Sequence, residues 1–121
     1  MGYNTFCHVE IHVKDLAAGR DFYQGLFGWK FTEFDPAYWL FSAEGGIGGA
    51  ITTYNADCPT GRGLMNYLLV EDIDGYMPRI LELGGKLTTE KMAIPGIGWS
   101  LQFTDPWDNP LGLFQAAPQE G

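Results

Sequence analysis

The sequence predicts an α+β fold in which two βαβββ units form a curved, eight-stranded mixed sheet with a concave cup. Three observations predict it. Displaced by 57 residues, the chain meets itself at Val13 and Val70, Asp15 and Asp72, Leu16 and Ile73, Leu26 and Leu83, and Gly28 and Gly85. Both halves run in the same order, an alternating strand, then Val-x-Asp-[Leu/Ile], then a helix of about three turns, then glycine. Between them lies a stretch rich in Asn, Pro and Gly. With 121 residues there is room for one domain, 1–121, holding units at about 5–55 and 63–117. At 45% hydrophobic and 15% aromatic the chain can bury a core without staples.

In the first half, residues 6–13 alternate: Val9, Ile11 and Val13 on one face, His8, Glu10 and His12 on the other. Asp15 is placed to cap a helix whose apolar stripe is Leu16, Phe22, Tyr23, Leu26 and Phe27. Gly28 follows where a left-handed residue closes such a helix. Strands are expected at 29–34, 38–43 and 48–54, the last two separated by glycines 45, 46, 48 and 49. That glycine run lacks the Lys-Ser/Thr of a phosphate loop and opens no helix. Residues 55–63 form the linker.

The second half opens with a strand at 64–70. Asp72 or Asp74 caps a helix carrying Ile73, Tyr76, Ile80 and Leu83, closed by Gly84 and Gly85. Strands follow at 86–90, 98–104 and 110–116, with DPWDNP (105–110) as the turn between the last two.

Seven basic residues against fifteen acidic ones give a net charge of −8, with no Lys/Arg cluster to offset it. Phosphate backbones and anionic membranes are therefore disfavoured partners. No apolar run reaches the length of a membrane span, and the first residues alternate without a basic-then-apolar leader, so the cytoplasm is the default location. Cys7 and Cys58 have no CxxC spacing; reduced thiols are the expectation, and a disulfide between them is left open.

Functional expectations centre on the first strand. Its aliphatic face suits packing under the helix, which turns His8, Glu10 and His12 toward the cup. Three readings of that face stand side by side: a wet polar surface, acid–base or ligand-binding groups, and a metal site. Met65, Tyr67 and Leu69 occupy the matching parity in the second half and make its side greasier, which suits a ligand with one polar and one apolar or aromatic end. Trp99 and Phe103 are candidates for an aromatic wall, or else plain core.

HVEIHVKDLAAGRDFYQGLFGWKF (8–31), VEDID (70–74), LELGGK (81–86), DPWDNPLGLFQ (105–115) and Lys91, Ile94, Pro95, Gly96, Gly98 and Trp99 together resemble the vicinal oxygen chelate superfamily. That group includes glyoxalase I, extradiol dioxygenases and the bleomycin- and fosfomycin-resistance proteins. The resemblance implies the paired βαβββ fold, a homodimer, a small-molecule ligand and, in the enzymes, a divalent metal with up to four ligands. Those ligand positions fall on His8, on Met65, near Gly49 to Ile51, and on Gly112, so only His8 carries a ligand. A catalytic divalent metal needs about three protein ligands. No cofactor is therefore expected, with His8 the one family-type ligand should a divalent metal bind. Two functions remain: a glyoxalase-like lyase or isomerase lacking the full metal set, and a non-catalytic protein that sequesters an antibiotic or metabolite.

Overall fold

The computed structural model describes residue 3, residues 8–53 and residues 65–118. Cys7, Cys58, the expected linker at 55–63 and the opening of the strand at 64–70 lie outside the described residues. Contacts divide the chain into two compact units, Met1–Cys58 and Pro59–Gly121.

The first unit runs β1 (Val9–His12), α1 (Leu16–Phe27), β2 (Lys30–Asp35), β3 (Tyr38–Ser42) and β4 (Gly49–Thr52). Its strands pair in the order β1-β4-β3-β2, with β1 and β4 parallel and the others antiparallel. The Asp15 side chain accepts a hydrogen bond from the Ala18 N–H at 2.9 Å, which satisfies one of the donors left over at the helix start. At the other end Gly28, at φ 75°, turns the chain out of the helix at no steric cost. Between these caps Phe22, Tyr23 and Leu26 are buried against the sheet. Each such side chain stabilises the fold by about 1.5–3 kcal/mol. Gly19 lets α1 come close: a Cβ there would stand 3.2 Å from both Val13 and Ile51. The odd-numbered face of β1 therefore faces the helix. Tyr23, Trp29 and Phe41 stack in sequence on that side, with ring centres 5.3 and 4.3 Å apart.

The second unit repeats the plan: β5 (Tyr67–Leu69), α2 (Ile73–Glu82), β6 (Lys86–Leu87), β7 (Met92–Ile94), β8 (Gly98–Thr104) and β9 (Pro110–Ala116). Its order is β5-β9-β8-β6, with β5 and β9 parallel and β7 also paired to β8. Asp72, not Asp74, is the helix cap, accepting from the Asp74 N–H at 3.2 Å. Ile73, Ile80, Leu101, Phe103 and Leu113 are fully buried.

Two expectations need correction. The strand expected at 86–90 is two short strands, β6 and β7, on one partner. Leu87 pairs with Phe103 and Met92 with Ser100, so residues 88–91 face only 101–102, a surplus of two. Thr88 and Thr89 both donate their N–H to the Gln102 carbonyl, at 2.9 and 3.3 Å, which absorbs the surplus as a bulge. The second correction concerns the sheet. The strands hydrogen-bond into one sheet of four and one of five, each within its own unit.

Candidate functional site

Alternation on β1 decides where its polar side chains go. Val13 is 2% exposed beneath α1, so His8, Glu10 and His12 stand on the opposite face of the sheet. β1 pairs on one side only within this sheet, with β4. On the shared face β4 contributes Thr52 beside His12 and Ala50 beside Glu10. Both are small and fully buried. One strand further, Tyr38 lies in register with Thr52 and Leu40 with Ala50.

Tyr38 crosses β4 and joins the polar residues of β1 into one chain. Its hydroxyl donates to Glu10 Oε2 at 3.1 Å. The other Glu10 oxygen, Oε1, lies 3.0 Å from His12 Nε2. The Tyr38 oxygen also lies 2.8 Å from His8 Nε2. A carboxylate only accepts, so both the phenol and His12 Nε2 donate to it. The phenol has one proton, already given to Glu10, so it accepts from His8 Nε2–H. This bonding assigns the proton of neutral His8 to Nε2 and leaves its lone pair on Nδ1.

Burial pushes the Tyr38 phenol above its ordinary value of 10.0, and the Glu10 carboxylate, by accepting its hydrogen bond and repelling a phenolate, pushes it further the same way. The Glu10 side chain keeps 36% of its surface exposed and His12 20%, so their contact is screened by water. Its contribution to stability is accordingly small. The value of the cluster lies in its connectivity.

In the second unit the corresponding face carries Tyr67, 49% exposed, whose hydroxyl accepts from Gln102 Nε2 at 2.9 Å. Tyr67, Gly112 and Gln102 form one register row across β5, β9 and β8. A Cβ on Gly112 would clash with the Tyr67 ring, so that ring lies close over β9. Leu69 shares its parity, and both Leu69 and Met65 are exposed. Trp99 and Phe103 occupy the other face. Phe103 is fully buried with Leu101 and Leu113, and Gln115, opposite Trp99, accepts from the Ile73 N–H of α2 at 2.8 Å. Lys91 lies 5.3 Å over the Trp99 ring while bonding Asp74 of α2 at 3.1 Å. Both aromatics thus lie on the helix side of the sheet, Phe103 in the core and Trp99 half-buried. They are no wall of the open face.

The residues at the family's metal positions do not fit a metal. The His8 imidazole is tied to Tyr38, Met65 offers a thioether, Gly49, Ala50 and Ile51 carry no donor, and the space at Gly112 is filled by the Tyr67 ring. Among the described residues no three His, Cys, Asp or Glu side chains gather as a ligand set. Sequence reasoning missed Tyr38 and Gln102. Tyr38 begins an expected strand, and only the register of β3 on β4 brings it to Glu10.

The chain was compared with known proteins. Residues 5–42 match the family model described as Bleomycin resistance protein-like N-terminal. The anthracycline biosynthesis protein DnrV of Streptomyces peucetius is 31% identical over 88% of this chain and 45% of its own length. A glyoxalase/bleomycin resistance protein/dioxygenase family enzyme from Burkholderia phytofirmans superposes with a TM-score of 0.78 at 17% identity, over 91% of this chain and 97% of that one. These likenesses agree on one family: the chain resembles the vicinal oxygen chelate superfamily. Another solved member of this superfamily fold, the fosfomycin resistance protein FosX of Listeria monocytogenes complexed with Mn(II) and sulfate, superposes with a TM-score of 0.79 at 20% identity, over 96% and 93% of the two chains. The present chain spans less than half the length of the curated superfamily relatives it matches, 45% of DnrV. Among its described residues no helix is long and apolar enough to cross a membrane.

Proposed function

We propose that this chain is a glyoxalase-like small-molecule-binding protein that moves a proton on its ligand, as a lyase or isomerase, without the metal set of its enzyme relatives. One observation carries this reading, the unbroken hydrogen-bonded chain His8–Tyr38–Glu10–His12 on an open sheet face. The Nδ1 lone pair of His8 is the base. When it takes a proton from the C–H beside a ligand carbonyl, the electron pair of that bond passes to the carbonyl oxygen as an enolate. The imidazolium left behind is backed through Tyr38 by the Glu10 carboxylate, which lowers the cost of its charge. Return of the proton to a neighbouring atom completes an isomerisation. Met65, Tyr67 and Leu69, exposed on the second unit, offer an apolar surface to a small molecule in the same reading. In this reading the chain works as a single domain, in the cytoplasm, and two copies pair.

The family match to a bleomycin resistance-like segment favours a second reading, sequestration of an antibiotic or metabolite without turnover. α-Tetralone separates the two. Its α-hydrogens exchange with deuterium in D2O only if a base removes them, and NMR counts both exchange and binding. Catalysed exchange lost in His8→Ala with affinity kept supports the enzyme. Binding with exchange no faster than in buffer supports sequestration. Absence of binding defeats both.

A further inference from the structure

The joint geometry of His8 and Tyr38 narrows the ligand, an inference that rests on the small-molecule site proposed above. Their ring planes differ by 5°, with centres 6.3 Å apart. The two hydrogen-bonded atoms, His8 Nε2 and the Tyr38 hydroxyl oxygen, each lie in their own ring plane and are 2.8 Å apart. Nearly parallel planes through those atoms are therefore separated by no more than about that distance, which is less than the ~3.5 Å at which carbon atoms pack face to face. The rings do not overlap. They meet edge to edge and make one flat surface.

That surface lies along the sheet. To reach Glu10 the phenol must cross β4, where Ala50 and Thr52 are small and 0% exposed beneath it. At the phenol end Phe34 stands upright, its ring at 72° to Tyr38 with centres 6.2 Å apart, and it is 70% exposed. A floor two rings wide, one upright aromatic wall and a carboxylate–imidazole pair at the margin have a definite complement. We infer that the His8–Tyr38 surface seats a planar, fused aromatic ring system, with a carbonyl or hydroxyl oxygen at its edge turned toward the polar residues of β1. A flat π-face contacts both floor rings at once and offers its edge to Phe34. A puckered saturated ring touches such a floor only through its axial hydrogens.

The test uses two probes of one carbon skeleton and one hydroxyl, 1-naphthol and decahydro-1-naphthol. Each is titrated into 15N-labelled protein and followed by amide chemical shifts. The expected result is that 1-naphthol binds about tenfold more tightly, with shifts centred on Phe34, Tyr38 and His8. In Phe34→Ala, a change at an exposed side chain that leaves the core untouched, that preference narrows. Equal affinity of the two probes, with shifts still centred on His8 and Glu10, overturns the planar seat while the small-molecule site stands. No shift on β1 or β3 from either probe overturns both.

Discussion

Tyr38 donates its hydroxyl proton to Glu10 from two strands away, at 3.1 Å. The intervening strand β4 permits this because the residues it places on that face, Ala50 and Thr52, are small. Thr52 donates its hydroxyl to the Ala37 carbonyl at 2.8 Å. The site is thus an achievement of register. A slip of one residue in β3 would send Tyr38 to the helix side and break its bonds to Glu10 and His8.

The same bond makes the Tyr38 titration a reporter of the site. In Glu10→Gln the carboxylate's charge disappears, while burial, the larger cause, and an oxygen able to accept from the phenol remain. The Tyr38 pKa should therefore fall part of the way toward 10.0 without reaching it, read from the 13C ring resonance of labelled tyrosine. The effect on stability has a fixed sign. Folded Tyr38 holds its proton above the value at which unfolded Tyr38 loses it, so its contribution is fully present below 10.0 and is lost as pH rises through the raised folded value. Tyr38→Phe should flatten that alkaline fall in the urea midpoint. An unchanged alkaline limb in the variant would show that Tyr38 does not titrate this way.

Much of the first unit was legible from residue order. Val9, Ile11 and Val13 alternate with His8, Glu10 and His12 because a strand under a helix must bury one face, and the Asp15 and Gly28 caps follow from the orphan groups at helix ends. Tyr38 was not legible as a site residue, since pairing register depends on which glycines between β3 and β4 make the turn. Phe103 and Trp99 show the complementary limit. Alternation sorts residues of β8 into two sets, and only contact with α2 tells which set is inside. The surplus residues at 88–91 escaped notice because a bulge has no periodicity of its own.

Gly49 holds β1 against β4 through closeness. A Cβ there would fall on the Val9 carbonyl and also crowd the Phe41 ring. Backbone of a paired strand cannot step aside as a side chain can. Gly49→Ala should therefore cost about 1–3 kcal/mol or more and pull β1 out of register with Tyr38. Thermal unfolding measures the first effect, and loss of the raised Tyr38 titration measures the second. A variant as stable as the parent, with that titration intact, would contradict the close packing.

Gly112 sets the contrasting case. Its missing Cβ would meet the Tyr67 ring, which is half exposed and free to swing outward. Gly112→Ala should change stability by no more than about 1 kcal/mol, because an exposed side chain can yield. It should still separate Tyr67 from Gln102, whose amide bonds its hydroxyl at 2.9 Å. The Gln102 side-chain amide resonances will move if this is right.

Asp105 is the strongest stability prediction, because its carboxylate is 1% exposed and organises the whole β8–β9 turn. One oxygen accepts from the Trp107 and Asn109 N–H groups, both at 2.9 Å, and the other from the Asn109 side-chain amide at 2.7 Å. Asp108 can then adopt its left-handed φ of 66° and return the chain. Asp105→Ala strands these donors, and a buried donor left without a partner costs about 1–3 kcal/mol. Asp105→Asn keeps one carbonyl for the two backbone donors but turns an NH2 group against that of Asn109, so it should lie between the parent and the alanine variant. Thermal melts of the three proteins order them. If the asparagine variant proved the least stable, the side-chain contact with Asn109, and not the pair of backbone bonds, would be what holds the turn.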